Sequence, residues 1–286
     1  MTNDVFSLSL PTNWTSSTVF SSPHSGRDYT DSYFQKSNLS PNHLRSSEDA
    51  FVDELFSSAP ESGAPLMAAV MPRAFIDLNR GADELDSAII EDVKPTKGNP
   101  RTAAGLGVIP RVVSQGRAIQ TGKISHQDAQ DRIANYYVPY HQRLKELINQ
   151  TFQAFGESLL VDCHSMPHTA LDNISVRGGS RPDVIIGDRF GSACAPEVAD
   201  KVEAAFRRQG FIVARNLPFA GAYILREYGR PTQRRNAVQV EIDRALYMDE
   251  ASITKNDQFG AVKKRIDQVI LELAEISQAP LKFAAE

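Results

Sequence analysis

The sequence predicts an α/β protein in which a single mixed β-sheet is flanked by helices. Short runs rich in valine, isoleucine and leucine alternate with longer stretches whose apolar residues return every three or four positions. The chain has 286 residues, enough to bury one large core, and its 41% hydrophobic and 23% charged residues are ordinary for a globular protein. The expected organisation is one domain over residues 1–286, with residues 1–17 as a peripheral N-terminal segment.

The elements follow in order. Thr18-Val19-Phe20-Ser21-Ser22-Pro23-His24-Ser25-Gly26 reads as a buried strand that delivers an imidazole to the rim of the sheet. Residues 21–47, rich in Ser, Asn, Pro and Asp, read as a long loop, and Ser47-Glu48-Asp49-Ala50-Phe51-Val52-Asp53-Glu54 as an acidic helix start. Ala74-Phe75-Ile76-Asp77-Leu78-Asn79-Arg80 alternates before Gly81 and predicts a strand feeding a loop. Gly98-Asn99-Pro100 and Gly105-Leu106-Gly107 make 81–123 an irregular excursion with a short hairpin. Ile133, Tyr136, Tyr137, Tyr140, Leu144, Leu147, Ile148 and Phe152 recur at helical spacing, an aromatic stripe for the core, and Pro139 should kink or divide that helix.

A second histidine strand, Leu159-Leu160-Val161-Asp162-Cys163-His164-Ser165-Met166-Pro167, repeats the first. Beyond it come a strand at Val184–Gly187, a helix from about Pro196 closed by Gly210 and a strand at Phe211–Ala214. A late strand, Ala237–Asp243, and a final amphipathic helix marked by Phe259, Val262, Ile266, Val269, Ile270 and Leu273 complete the chain.

A lone histidine at a strand end is more often a hydrogen-bonded structural residue than a ligand, and it is the recurrence that points to a metal. Two histidines and a carboxylate hold a catalytic zinc while leaving a position for water, and a further glutamate can serve as base. The acidic helix start and Glu241 offer the carboxylates. His168 is the competing ligand beside His164, whereas His43 lacks such a setting and His126 and His141 are expected on solvated helix faces. Ligands of open α/β sheets sit beyond the carboxyl ends of the strands, where His24, Arg80, His164 and Glu241 fall.

A net charge of −4 offers no basic surface for nucleic acid. No apolar run is long enough to cross a bilayer, and Met1-Thr2-Asn3-Asp4-Val5 has no basic region leading into an apolar stretch, so the expectation is a cytoplasmic protein with no membrane partner. Cys163 and Cys194 are too few for a disulfide framework and suit a reducing compartment. Cys163, inside an apolar strand, reads as an inert thiol and not a nucleophile.

Four segments carry a family resemblance: Ser22-Pro23-His24-Ser25-Gly26, Asp77-Leu78-Asn79-Arg80, Asp162-Cys163-His164-Ser165-Met166-Pro167, and Val240-Glu241-Ile242-Asp243-Arg244 followed by Tyr247-Met248-Asp249-Glu250. From about Ser21 to Glu250 the chain resembles the N-formylglutamate amidohydrolases, which belong with the zinc carboxypeptidase and aspartoacylase type of metallohydrolase. The resemblance implies a zinc carboxypeptidase-like (phosphorylase/hydrolase-like) architecture, one Zn2+ per chain, and hydrolysis of N-formyl-L-glutamate to formate and L-glutamate, as in histidine degradation. It implies His24, Asp49 and His164 as ligands. The wider superfamily places a Glu ligand just after the first histidine, where Gly26-Arg27-Asp28 has none; Asp49 is matched to that role, with Glu48, Asp53 and Asp28 as alternatives.

Glu241 matches the general base, its bland alternative being an exposed carboxylate paired with Arg244. By the same resemblance Arg73 polarises the scissile carbonyl and Asn79 with Arg80 grips a substrate carboxylate. Tyr223, Arg226, Tyr228 and Arg230, or Arg189, are candidates to close over a second carboxylate. Two other readings stand beside this one: a deacylase or amidase for another N-acyl amino acid or peptide, and a metal-free module that binds acidic amino acids.

Overall fold

The computed structural model describes residues 5–30, 32–35, 37–94, 99–172, 174 and 179–276. The strands are β1 (Phe6–Ser9), β2 (Thr18–Ser22), β3 (Leu66–Ala69), β4 (Val112–Val113), β5 (Arg117–Ala118), β6 (Ser158–Met166), β7 (Val184–Gly187), β8 (Val213–Arg215), β9 (Arg235–Asp243) and the short antiparallel pair β10 (Met248–Asp249) and β11 (Thr254–Lys255). Among the described residues, seven of them form one sheet in the order β1-β3-β2-β6-β9-β7-β8. The central strands β3, β2, β6 and β9 run parallel, while β1 on β3 and β7 on β9 are antiparallel, so the sheet is mixed as predicted. The short pair β4 and β5 is the hairpin expected within 81–123; residues 95–98 of that excursion, Gly98 included, lie outside the described residues.

The helices are α1 (Ser32–Gln35), α2 (Pro41–Arg45), α3 (Val52–Leu55), α4 (Pro100–Ala103), α5 (His126–Arg132), α6 (Val138–Phe155), α7 (Pro196–Arg208), α8 (Tyr223–Tyr228) and α9 (Phe259–Glu275). They cover both faces of the sheet. Alternate strand residues point to opposite faces: Leu159, Val161 and Cys163 of β6 with Val238, Val240 and Ile242 of β9 pack against α3, α7 and α9. Leu160 and Ala237 join the opposite core, built with α5, α6 and α8. The period of two therefore puts Asp162, His164, Gln239 and Glu241 together on the α6 face.

The long amphipathic segment forms as predicted, and Pro139 marks its division: a single π-helical turn, Ile133–Tyr137, separates α5 from α6. Two expectations fail. Residues 74–80 are a chain of turns and not a strand, because Asp77 Oδ1 accepts from Asn79 N at 2.9 Å and Phe75 N donates to Pro72 O at 2.9 Å; β3, just upstream, takes the sheet position. His141 is buried, not solvated: α8 covers it, and its ring bonds Leu78 O and the Tyr228 hydroxyl, each at 2.9 Å. Burial lowers its pKa to about 4, so it is neutral.

Candidate active site

His24 lies just past β2, His164 near the end of β6, and Asp49 in the turn before α3, its backbone N–H donating to His24 O at 3.0 Å. Gly26 lets this corner close, since a Cβ there would sit 2.1 Å from Met71 O. His24, Asp49 and His164 are each no more than 3% exposed. One ligand atom from each comes together with the others within 4.8 Å.

The polarity of the three groups suits a cation. His164 Nδ1 lies 2.9 Å, and His24 Nδ1 3.5 Å, from Asp49 Oδ2. The opposite nitrogens are anchored by buried carboxylates: His24 Nε2 is 2.8 Å from Asp77 Oδ1, and His164 Nε2 is 2.9 Å from Asp162 Oδ2. Such carboxylate partners hold a ligating imidazole in one tautomer and raise its basicity. Arg244 occupies the other Asp49 oxygen, Oδ1, at 2.9 Å. His24 Nδ1 is buried and has no hydrogen-bond partner among the described residues, and its lone pair is the kind a metal would take, so the residues fit a metal ion.

The charges follow from this packing. Burial would raise Asp49, but the two imidazoles outweigh it and hold the carboxyl well below its ordinary range. Burial would lower His164, but Asp162 and Asp49 hold it well above the usual imidazole value. Asp77, buried too, is kept well below by Arg80, His24 and Arg73.

Glu241 stands beside His164 in the β6–β9 ladder. Gln239, two residues earlier on the same face, donates to Glu241 Oε1 at 2.7 Å. Burial pushes Glu241 up to about 7; Asp49 acts in the same sense, opposed by His164, Arg73 and Arg244. It is therefore a buried carboxylate beside the metal candidates and not an exposed one paired to Arg244, whose guanidinium is committed to Asp49.

These groups line one cavity of about 530 Å³, together with Arg73, Asn79, Arg80 and the segment Pro218–Ala222. Arg73 donates to Asp77 Oδ2 at 2.8 Å. Asn79 Nδ2 lies 3.1 Å from both Asp162 Oδ2 and His164 Nε2, while its Oδ1 accepts from Ile224 N at 2.8 Å, so it steadies the histidine as well as facing the cavity. Arg80 is held by Leu106 O and Asn79 O.

The other candidates fall elsewhere. Glu48 binds Arg45 and Tyr29, Asp53 binds Arg27, and Asp28 bonds Thr30, all outside the histidine cluster. His168 is about half exposed and pairs with Asp243 at 2.7 Å. Tyr223, Arg226, Arg230 and Arg189 do not line the cavity. Of this segment the residues before α8 reach it: Tyr223 packs on His141, Arg226 lies over the Tyr223 ring, Arg230 folds back on Arg226 O and Gly229 O, and Arg189 bonds Gly221 O. Sequence reasoning assigned no role to Asp77, Asp162, Gln239 or Arg101. Two of these had a signal, since Asp162 and Gln239 each sit two positions from a candidate on a predicted strand.

The chain is similar to known proteins over most of its length. The family model for N-formylglutamate amidohydrolase matches residues 16–248. An N-formylglutamate deformylase of Pseudomonas aeruginosa is 31% identical over 209 residues, 71% of each chain. One from Pseudomonas putida is 27% identical over 245 residues, 83% of this chain and 82% of that one. The crystal structure of an N-formylglutamate amidohydrolase from Ralstonia eutropha superposes with a TM-score of 0.87 at 36% identity, covering 95% of this chain and 98% of the other. A match that runs from the strand before His24 to the residues just beyond Glu241 takes in every element that builds the cavity, and the chain belongs to the N-formylglutamate amidohydrolase family.

Proposed function

We propose that this chain hydrolyses the amide of N-formyl-L-glutamate to formate and L-glutamate, with zinc held by His24, Asp49 and His164 and with Glu241 as general base. The observation that carries the reading is the convergence of two Nδ1 atoms on Asp49 Oδ2, each imidazole backed by its own carboxylate, beside a glutamate raised to about 7. Zinc bound there would supply a Lewis acid that acidifies water and polarises an amide carbonyl.

The remaining steps belong to the chain's own residues. Glu241 takes the proton of the attacking water, and its raised pKa then suits it to return that proton to the departing amine nitrogen. Gln239 keeps the Glu241 carboxylate turned to one orientation. Arg73 stabilises the negative charge that develops on the carbonyl oxygen, its guanidinium held by Asp77. Arg80 binds a substrate carboxylate through a planar fork that lysine lacks.

The cavity of about 530 Å³ is of ordinary size for a small-molecule site and is shared by the whole N-acyl amino acid, so a second reading, in which longer N-acyl amino acids are also accepted, is kept beside the first. A panel of N-acyl amino acids assayed with and without added zinc separates the two: formyl-only turnover supports the first, comparable rates for acetyl and longer groups the second. Metal content is measured alongside. Stoichiometric zinc in the wild type, with both metal and turnover lost in His24→Ala and His164→Ala, is the expected result; unchanged zinc content in those variants rules the ligand set out.

A further inference from the structure

The cavity carries more positive charge than its own carboxylates neutralise. Four arginines line it, Arg73, Arg80, Arg101 and Arg244. Arg73 pairs with Asp77 at 2.8 Å and Arg244 with Asp49 at 2.9 Å. Arg80 reaches only the already committed Asp77, at 3.9 Å. The Arg101 side chain has no carboxylate within pairing distance among the described residues; its pKa is lowered, by burial first and then by the Arg80 guanidinium, with Glu84 and Asp77 opposing from farther off and Arg189 adding to the fall. Two guanidinium groups on one wall thus lack a close carboxylate of their own, Glu84 being committed to Gly81 N and Asn99 Nδ2.

They are also mechanically one unit. Glu84 Oε1 accepts from Gly81 N, next to Arg80, at 2.9 Å. Its Oε2 accepts from Asn99 Nδ2 at 2.9 Å, and Asn99 Oδ1 caps α4 by accepting from Arg101 N at 3.0 Å. Arg80 Nε donates to Leu106 O, just past α4, at 2.9 Å. The backbones that carry the two cations are fastened to each other through one carboxylate.

Building on the proposed reaction, we propose that Arg101 determines specificity: it binds the distal carboxylate of a dicarboxylate substrate while Arg80 binds the other, so that the site selects N-acyl amino acids with an acidic side chain. A dianion supplies the two charges that the wall lacks. A monoanion leaves one guanidinium uncompensated, and charge-assisted bonds of this kind are the strong ones.

The experiment compares wild type with Arg101→Gln and Arg101→Lys on N-formylglutamate and N-formylglutamine. It also measures glutarate and butyrate binding to each protein by calorimetry. In Arg101→Gln the ratio of kcat/KM for the acid over the amide should fall by roughly tenfold or more, with Arg101→Lys between the two. Glutarate should weaken by a similar factor while butyrate does not. An unchanged ratio together with unchanged glutarate binding overturns the assignment. Should the wild type turn over neither formyl compound, the proposed reaction fails, and glutarate binding alone then decides whether Arg101 holds a carboxylate.

Discussion

Asp162→Asn keeps the shape of the side chain behind His164 and removes its charge. His164 Nε2 has two neighbours, Asp162 Oδ2 at 2.9 Å and the Asn79 amide nitrogen at 3.1 Å. Asn79 cannot turn its oxygen to the ring, because that oxygen accepts from Ile224 N. The ring proton therefore goes to Asp162. An asparagine that keeps its oxygen toward His164 replaces a charge-assisted bond by a neutral one of about half the strength, a loss of about 1–2 kcal/mol. One that turns its amide to the ring faces two donors and loses more. Zinc affinity should fall by about ten- to a hundredfold, as outer carboxylates generally contribute.

Asp77→Asn makes the contrast. It removes the same support from His24, but it also leaves the charged Arg73 without its carboxylate partner and should destabilise the fold by about 3 kcal/mol, the lower end for a broken buried pair because Arg73 is partly exposed. Titration of metal-free protein with zinc against a chromophoric chelator gives the affinities, and thermal unfolding without metal gives the stabilities. If Asp162→Asn binds zinc as tightly as wild type, the backing role of the carboxylate is refuted.

Three further outcomes follow from the same geometry. Glu241→Gln should keep its zinc and lose turnover by about a hundredfold or more, with kcat/KM in the wild type rising with pH as Glu241 deprotonates from about 7 and a bound cation pulling that limb lower; near-normal turnover would move the base elsewhere, and lost zinc would make Glu241 a ligand. Arg80→Lys should raise KM for N-formylglutamate by about tenfold with little change in Tm, and equal rates on a formylated amine without carboxylates would remove the basis for that role. In the metal-free protein, Asp49 and Asp77 have folded pKa values below 3.8, so their stabilisation is present above that value and lost as pH falls through the folded ones; His164, raised above 6.5, stabilises below that value and loses its contribution as pH rises through its folded one. Urea midpoints measured across pH should therefore be highest between about 4 and 6.5, and a midpoint that keeps rising above pH 8 would contradict the His164 assignment.

The strand-end histidines were legible because a period of two and a following Gly or Pro are local properties. The division at Pro139 and the closing helix were legible for the same reason, being written in consecutive residues. Residues 74–80 were misread because an Asx turn at Asp77 and an alternating strand share the same apolar spacing. The burial of His141 is not legible locally, because it comes from residues far along the chain in both directions, Leu78 upstream and α8 more than eighty residues later. Arg101 sits in a Gly- and Pro-rich excursion with no periodicity to mark it, and only the fold shows that Glu84 fastens it beside Arg80.

The ladder that seats His164 opposite Glu241 has a consequence for how the protein folds. It joins residues 158–166 to 235–243, and the neighbouring ladder joins Thr18 to Leu159, so the sheet's centre is stitched from segments far apart along the chain. Pairings of such long range form slowly, after the loops between them have been closed. His24 and His164 meet only when β2 and β6 have paired, and Glu241 arrives with the next strand. In a refolding experiment zinc uptake should accordingly trail the helical signal of α6 and α9 and coincide with the sheet, making the metal a timer for completion of the sheet and not a seed around which it grows.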